Sequence, residues 1–357
     1  MKQEEMFGKA RTVLGPVSAD ALGKTLIHEH LFIDLSQYFT EPSGAAEKRM
    51  AHEPVRMENL YWVRLHPFSN LDNLHLADEN LSTREAKLFK MAGGGTITEV
   101  TPKGALGRNP SGLACIARET GLNIIMGTGY YTGAFHPAEL VSRTEQDIAD
   151  EMVKELTVGI EDTTIRAGII GEIGCSMPLD EKERKILRCC AAAQRRTGAA
   201  IYLHPSPGDD LVLENIRVLQ DAGADLGRVV IGHVDIMDYS DTTCRKLADA
   251  GCYIGFDSFG NEGFIHIPHP GFDVELSDVK RINNIIGLIK DGYLNHILIS
   301  QDIGTRDRLT AYGGTGYAHI LRDVVPIMRT KGLTEAQINT LLVENPGRVL
   351  SFALVSQ

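Results

Sequence analysis

His28 and His30 stand two apart in TLIHEHLFID, and alternate residues of a strand turn to the same side, so both imidazoles face one way. Four further groups sit in similar apolar settings: Glu172 in AGIIGEIG, His204 in AIYLHPS, His233 in VVIGHVD and Asp302 in ILISQDIG. Imidazole and carboxylate are the donors that zinc and its transition-series neighbours accept. Each has an ordinary reading on its own. A strand-end histidine is commonly a hydrogen-bonded core or loop residue, Glu172 a paired acid, Asp302 a helix N-cap. Burying all six in one apolar lumen is costly unless something pairs them, and a pair of metal ions does so. The expectation is two divalent ions per chain, Zn2+ first, with Mn2+ or Co2+ as alternatives.

The elements that must position these groups are short β-rich runs. Strands are predicted at Thr25–Asp34, Thr96–Pro102, Asn123–Tyr131, Ala167–Gly174, Ala200–Pro205, Val229–Val234, Tyr253–Phe259 and Ile297–Ile303. Helical periodicity fills the gaps, as at Glu181–Thr197 and Thr242–Ala250, with helix-ending glycines at Gly198 and Gly251. Strands alternating with helices imply a parallel sheet, and eight units in one chain favour a closed TIM (β/α)8 barrel in a single domain over 1–357. Each candidate ligand then lies near the C-terminal end of its strand, the face where such barrels carry their sites. An insertion at 36–80 and a long loop at 258–280 interrupt the rhythm on that same face. His52, His66 and His75 in the insertion read as solvated; His266 and His269 in the later loop are candidates for a pocket wall; His136 has no strand partner at ligand spacing.

Composition narrows the classes. The 357 residues carry 47 acids against 36 basic residues, a net charge of -11, which argues against nucleic acid or an anionic membrane as partner. The six cysteines include no CxxC pair, so they read as reduced thiols rather than a disulfide frame. MKQEEMFGKARTVLG has no apolar stretch of the signal-peptide kind, and no run reaches a membrane span, so the expectation is a cytoplasmic protein acting on a small molecule.

HEH on the first strand, GEIG on the fourth, the fifth-strand histidine, GHVD on the sixth and SQD on the eighth together resemble the phosphotriesterase family of the amidohydrolase superfamily. GTGYY and AYGGTGYAHIL add to the likeness, which is closest to the phosphotriesterase-related and phosphotriesterase-homology group that includes resiniferatoxin-binding proteins. It runs from about Gly15 to NPGRVL. The resemblance implies that His28, His30 and Asp302 hold the more buried ion, and His204 and His233 the more exposed one. It also implies a homodimer. Glu172 falls where the parent phosphotriesterases have a carboxylated lysine bridging the metals, so the bridge passes to its carboxylate. Ser258, after Asp257, replaces a basic residue of those enzymes.

The chemistry expected of such a centre is hydrolysis by a metal-bridging hydroxide, with Asp302 as the acid/base that moves its proton to the leaving group. Carboxylic ester, lactone or amide is the expected scissile bond. Phosphotriester hydrolysis and ligand binding without turnover are the alternatives, the last weakened because all six donors are kept. Tyr131, Asp257, Lys103, Arg108 and Arg306 are candidate substrate contacts, the three cations as anchors for an anionic group.

Overall fold

The computed structural model describes residues 6–104, 106–237, 239–264 and 275–355. Eight strands form one parallel sheet: β1 (Thr25–Glu29), β2 (Thr96–Glu99), β3 (Asn123–Thr128), β4 (Ile169–Gly174), β5 (Ile201–His204), β6 (Val229–Ile231), β7 (Tyr253–Phe256) and β8 (Ile297–Ile299). Their order around the sheet is their order in the chain. The ends are joined through side chain and backbone. Ser300 Oγ donates to His28 O at 2.7 Å and accepts from His28 N at 3.0 Å, while Asp302 N donates to His28 O at 3.3 Å. The chain is thus a (β/α)8 barrel.

Helices follow the strands and cover the outside. The Glu181–Thr197 helix has the bounds its periodicity predicts: Asp180 and Glu183 make a reciprocal capping box at its start, and Gly198 ends it in the left-handed conformation at φ 74°. The helix expected over Thr242–Ala250 runs Asp241–Asp249. Inside the sheet, Ile27, Val100, Ile125, Ile169, Tyr202, Val230, Tyr253 and Leu298 join one buried cluster, which packs the barrel's lumen. The other strand faces pack against the helices in a second, larger cluster.

The ladders end three to five residues before several predicted strand ends. Beyond β1, for instance, Ile33 and Asp34 leave the barrel and pair antiparallel with Leu76 and His75. The 36–80 insertion carries helices Ala45–His52 and Leu60–Leu65, and it walls the barrel mouth with Tyr38, Arg64, Pro67 and Phe68. His266 and His269 lie outside the described residues. No helix among the described residues is long and apolar enough to cross a membrane.

Candidate metal centre

Two irregularities in the barrel ladders coincide with proposed ligands. The β1–β2 register shifts between Leu26 and Glu29, and the β4–β5 register shifts between Ile170 and Ile173. A shift of this kind re-aims a side chain that strict alternation would send elsewhere. Ile27 packs in the lumen and His28, its neighbour, also turns inward, its ring 4.8 Å from Tyr202 and 4.9 Å from His233. Just past β6 and β8, His233 and Asp302 take left-handed backbone at φ 57° and 50°, a conformation that non-glycine residues hold only where the surroundings impose it. Gly232 leaves space for this turn: a Cβ there would lie 2.7 Å from Tyr202 Cε1 and 2.9 Å from Asp257 Oδ2.

The six side chains meet at the C-terminal mouth. Donor atoms lie within 4.8 Å of one another in each of three sets: His28 with His30 and Glu172, His28 with His233 and Asp302, and Glu172 with His204 and His233. Glu172 stands between two pairs of imidazoles. Its Oε2 is 3.7 Å from His28 Nε2 and 3.9 Å from His30 Nε2; its Oε1 is 2.9 Å from His204 Nδ1 and 2.8 Å from His233 Nε2. Asp302 Oδ1 closes the first pair at 3.3 Å and 3.2 Å. Each Glu172 oxygen therefore faces one half of the cluster, as a bridging carboxylate must.

The electrostatics agree with a site for cations. Burial works against a charged His28, yet Glu172 and Asp302 outweigh it and raise its pKa to about 10. Burial alone would raise Glu172 and Asp302, but the imidazoles beside them hold both well below the usual carboxylate range. Three buried or half-buried acids, Glu172, Asp257 and Asp302, so favour positive charge at this point, and imidazole with carboxylate is the donor set that fits divalent transition ions.

Behind the donors, other groups fix their rings. Asp257 accepts from His233 N at 3.0 Å, lies 2.9 Å from His233 Nδ1 and accepts from Tyr202 OH at 2.6 Å; its Oδ2 is 3.3 Å from His28 Nδ1. His30 Nδ1 is 2.8 Å from Thr101 Oγ1, which in turn donates to Glu99 Oε1 at 2.7 Å. Carboxylates and hydroxyls on the far ring nitrogen set tautomer and orientation at metal sites. Glu29, the middle residue of HEH, accepts from Gln301 N and Ile303 N, lies 2.7 Å from Ser300 Oγ, and so pins the turn that carries Asp302.

The donors other than the fully buried His28 line a cavity of about 710 Å³, walled by apolar groups such as Tyr38, Phe68, Leu106 and Met237. Tyr131 lines it, with its hydroxyl 3.2 Å from His204 Nδ1. The other substrate candidates lie elsewhere. Asp257 is fully buried behind the histidines. Lys103 pairs with Glu151 at 2.7 Å, Arg108 grips Glu155 with two nitrogens at 2.7 and 2.9 Å, and Arg306 pairs with Asp72 at 3.1 Å; none of the three lines the cavity. Sequence position placed these cations after strand ends but could not show acids many residues away waiting for them. Conversely, Arg308 lines the cavity, and only its distance of two residues from Arg306 hinted at it. Tyr38 of the insertion was likewise invisible without the fold.

Residues 8–350 match the phosphotriesterase family. The chain belongs to that family. It is similar to an N-acetyltaurine hydrolase from Dictyostelium discoideum, with 41% identity covering 97% of this chain and 99% of the relative. A phosphotriesterase-related protein from Nematostella vectensis is also 41% identical, with the same coverage. The crystal structure of a resiniferatoxin-binding protein from Rhodobacter sphaeroides superposes with a TM-score of 0.92 at 37% identity, covering 96% of this chain and 95% of that one. The chain is a hydrolase of the phosphotriesterase family, and its barrel mouth carries imidazole and carboxylate groups that can hold metal.

Proposed function

We propose that this protein is a binuclear metal-dependent amidase that cleaves a small N-acyl amide, with an N-acyl aminosulfonate such as N-acetyltaurine as its substrate type. The observation that carries the reading is Glu172, whose two oxygens face two separate imidazole pairs, the division that two adjoining metal sites would require. The similarity to N-acetyltaurine hydrolases over nearly the whole chain supports the amide as scissile bond.

His28, His30 and Asp302 would hold one ion, His204 and His233 the other, with Glu172 between them. Bound there, two divalent ions, zinc by preference, would supply Lewis acidity toward the acyl oxygen and would make water acidic enough to attack near neutral pH. The protein's own groups do the rest. Asp302, half open to the cavity, takes the proton of the attacking water and returns it to the departing amine nitrogen. Water adds across the C–N bond, yielding carboxylic acid and amine. Tyr131 is positioned to donate to the acyl group, and burial raises its pKa well above the usual phenol value, so it stays protonated. The apolar walls exclude bulk water from the reaction.

A hydrolysis screen of zinc- and manganese-loaded protein across N-acetyltaurine, a lactone, an aryl ester and paraoxon tests the proposal. N-acetyltaurine should give the highest kcat/KM, and Asp302→Asn should lower kcat by about 10² to 10⁴ with the fold intact. Paraoxon turnover above all three carbonyl substrates would reverse the assignment.

A further inference from the structure

We infer that Arg308, with the hydroxyl of Thr315 beside it, forms the seat for the anionic group on the amine half of the substrate, a sulfonate in the amide reading above, on which this inference rests. Among the described residues lining the cavity, arginine occurs at Arg64 and Arg308, and lysine is absent. Arg64 is exposed at the mouth and donates through Nη2 to Gly313 O. Arg308 is the enclosed one. Its Nη2 donates to two backbone carbonyls, Phe259 O and Gln301 O, both at 3.0 Å. Its Nε is buried with no hydrogen-bond partner, and no carboxylate among the described residues pairs with it.

An enclosed guanidinium held only by carbonyls is an unfinished arrangement, because burying a charge without a counter-charge is costly. By contrast, Arg108, Arg281 and Arg306 all have acids within 3.1 Å. Asp307 and Asp302 attract Arg308 through space, but neither forms an ion pair with it, and Asp302 commits its charge to the donor cluster. Thr315 Oγ1, also in the cavity wall, is a second buried polar atom without a partner. Arg308 and Thr315 both line the cavity, and the polar capacity each leaves unused calls for acceptor oxygens, which a compact oxyanion supplies once these side chains turn toward it.

Position fits the same conclusion. Through Gln301 O, the guanidinium is anchored at the residue immediately before Asp302. An acyl group at the metal donors would therefore leave the amine's short ethylene arm and its sulfonate within the same cavity as Arg308. The two carbonyl bonds hold the guanidinium plane in place before the substrate arrives, which lowers the ordering cost of binding.

The test separates this seat from the reaction itself. Metal-loaded, full-length protein is titrated calorimetrically with ethanesulfonate, which has the anion but neither amide nor amine. Wild type should bind it saturably; Arg308→Met should weaken binding at least about tenfold, and Thr315→Val about threefold. In kinetics, Arg308→Met should raise KM and cut kcat/KM for N-acetyltaurine about 10- to 100-fold, while leaving uncharged N-ethylacetamide within about threefold of wild type. Arg308→Lys, which keeps the charge and loses the fork, should fall between. Should Arg308→Met be misfolded, Thr315→Val still decides, since it touches neither carbonyl bond. Unchanged ethanesulfonate affinity in both variants, or equal losses on the charged and uncharged amides, would overturn the assignment. If N-acetyltaurine were inert, the amidase reading would fall, and the ethanesulfonate titration would still decide the seat.

Discussion

At the scale of single residues, Glu172 separates this chain from the parent phosphotriesterases. A lysine becomes a metal bridge only once carbon dioxide has made it a carbamate anion; Glu172 already carries two oxygens, one facing each imidazole pair. Assembly of the centre should therefore be indifferent to bicarbonate. Glu172→Gln keeps the shape and removes the charge, so metal content measured by elemental analysis should fall from about two ions per chain toward one or none, with activity lost alongside. A fully metallated, fully active Glu172→Gln protein, or a strong bicarbonate requirement in reconstituting the wild type, would show that another group bridges. The meeting of these six side chains was legible because each is a polar residue where an apolar strand ends. Arg308 was not: it sits in a loop beside Arg306, and whether a loop cation points inward depends on the packing of the whole mouth.

The elements teach a different lesson through Arg108. It follows β2 and was read as an anchor for substrate, but it is locked to Glu155 of the Glu145–Thr157 helix, with side chains only 5% and 6% exposed, and it also donates to Gly127 O at 3.2 Å. Thr128 Oγ1 donates to the same Glu155 carboxylate. This pair ties the helix to the end of β3, and losing one partner leaves a buried charge alone. Arg108→Met should destabilise the protein by about 3–5 kcal/mol in denaturant titration, with KM for the substrate little changed in the folded fraction. A stable variant with a greatly raised KM would restore Arg108 to the substrate. Strand order and helix positions were readable from alternation and capping, as at Asp180 and Gly198. The register shifts in β1 and β4, which turn His28 and Glu172 inward, were not readable, because a bulge depends on the neighbouring strand rather than on local pattern.

At the scale of the whole molecule, the barrel gathers negative charge at one end of its lumen, and either protons or metal ions must answer it. In metal-stripped protein the answer is protonic. His28 is raised to about 10, above its unfolded value near 6.5, so its contribution to stability is complete below about pH 6.5 and is lost as pH rises through 10. His233, opposed by burial but drawn up by Asp257, shifts in the same direction. Glu29 and Glu99, both pushed up to about 7 by burial, also lose stability with rising pH, but largely by neutrality. Metal-loaded protein has the opposite tendency at the histidines, since ligation needs neutral imidazoles and competition from protons fades as pH rises. Free metal at about 100 times Kd stabilises the fold by about 2.7 kcal/mol for one site. Thermal unfolding of stripped and loaded protein, followed from pH 7 to pH 9, should therefore show two curves that diverge: the stripped protein weakens while the loaded one holds. Groups remote from the cluster cancel in the difference, and above pH 7 the carboxylates beside it are already ionised, so the change across this range reports the clustered imidazoles. A gap that stays constant or narrows across that range would mean that His28 either carries no proton in the stripped protein or gives none up on metal binding, and the assignment of the HEH pair as ligands would have to be withdrawn.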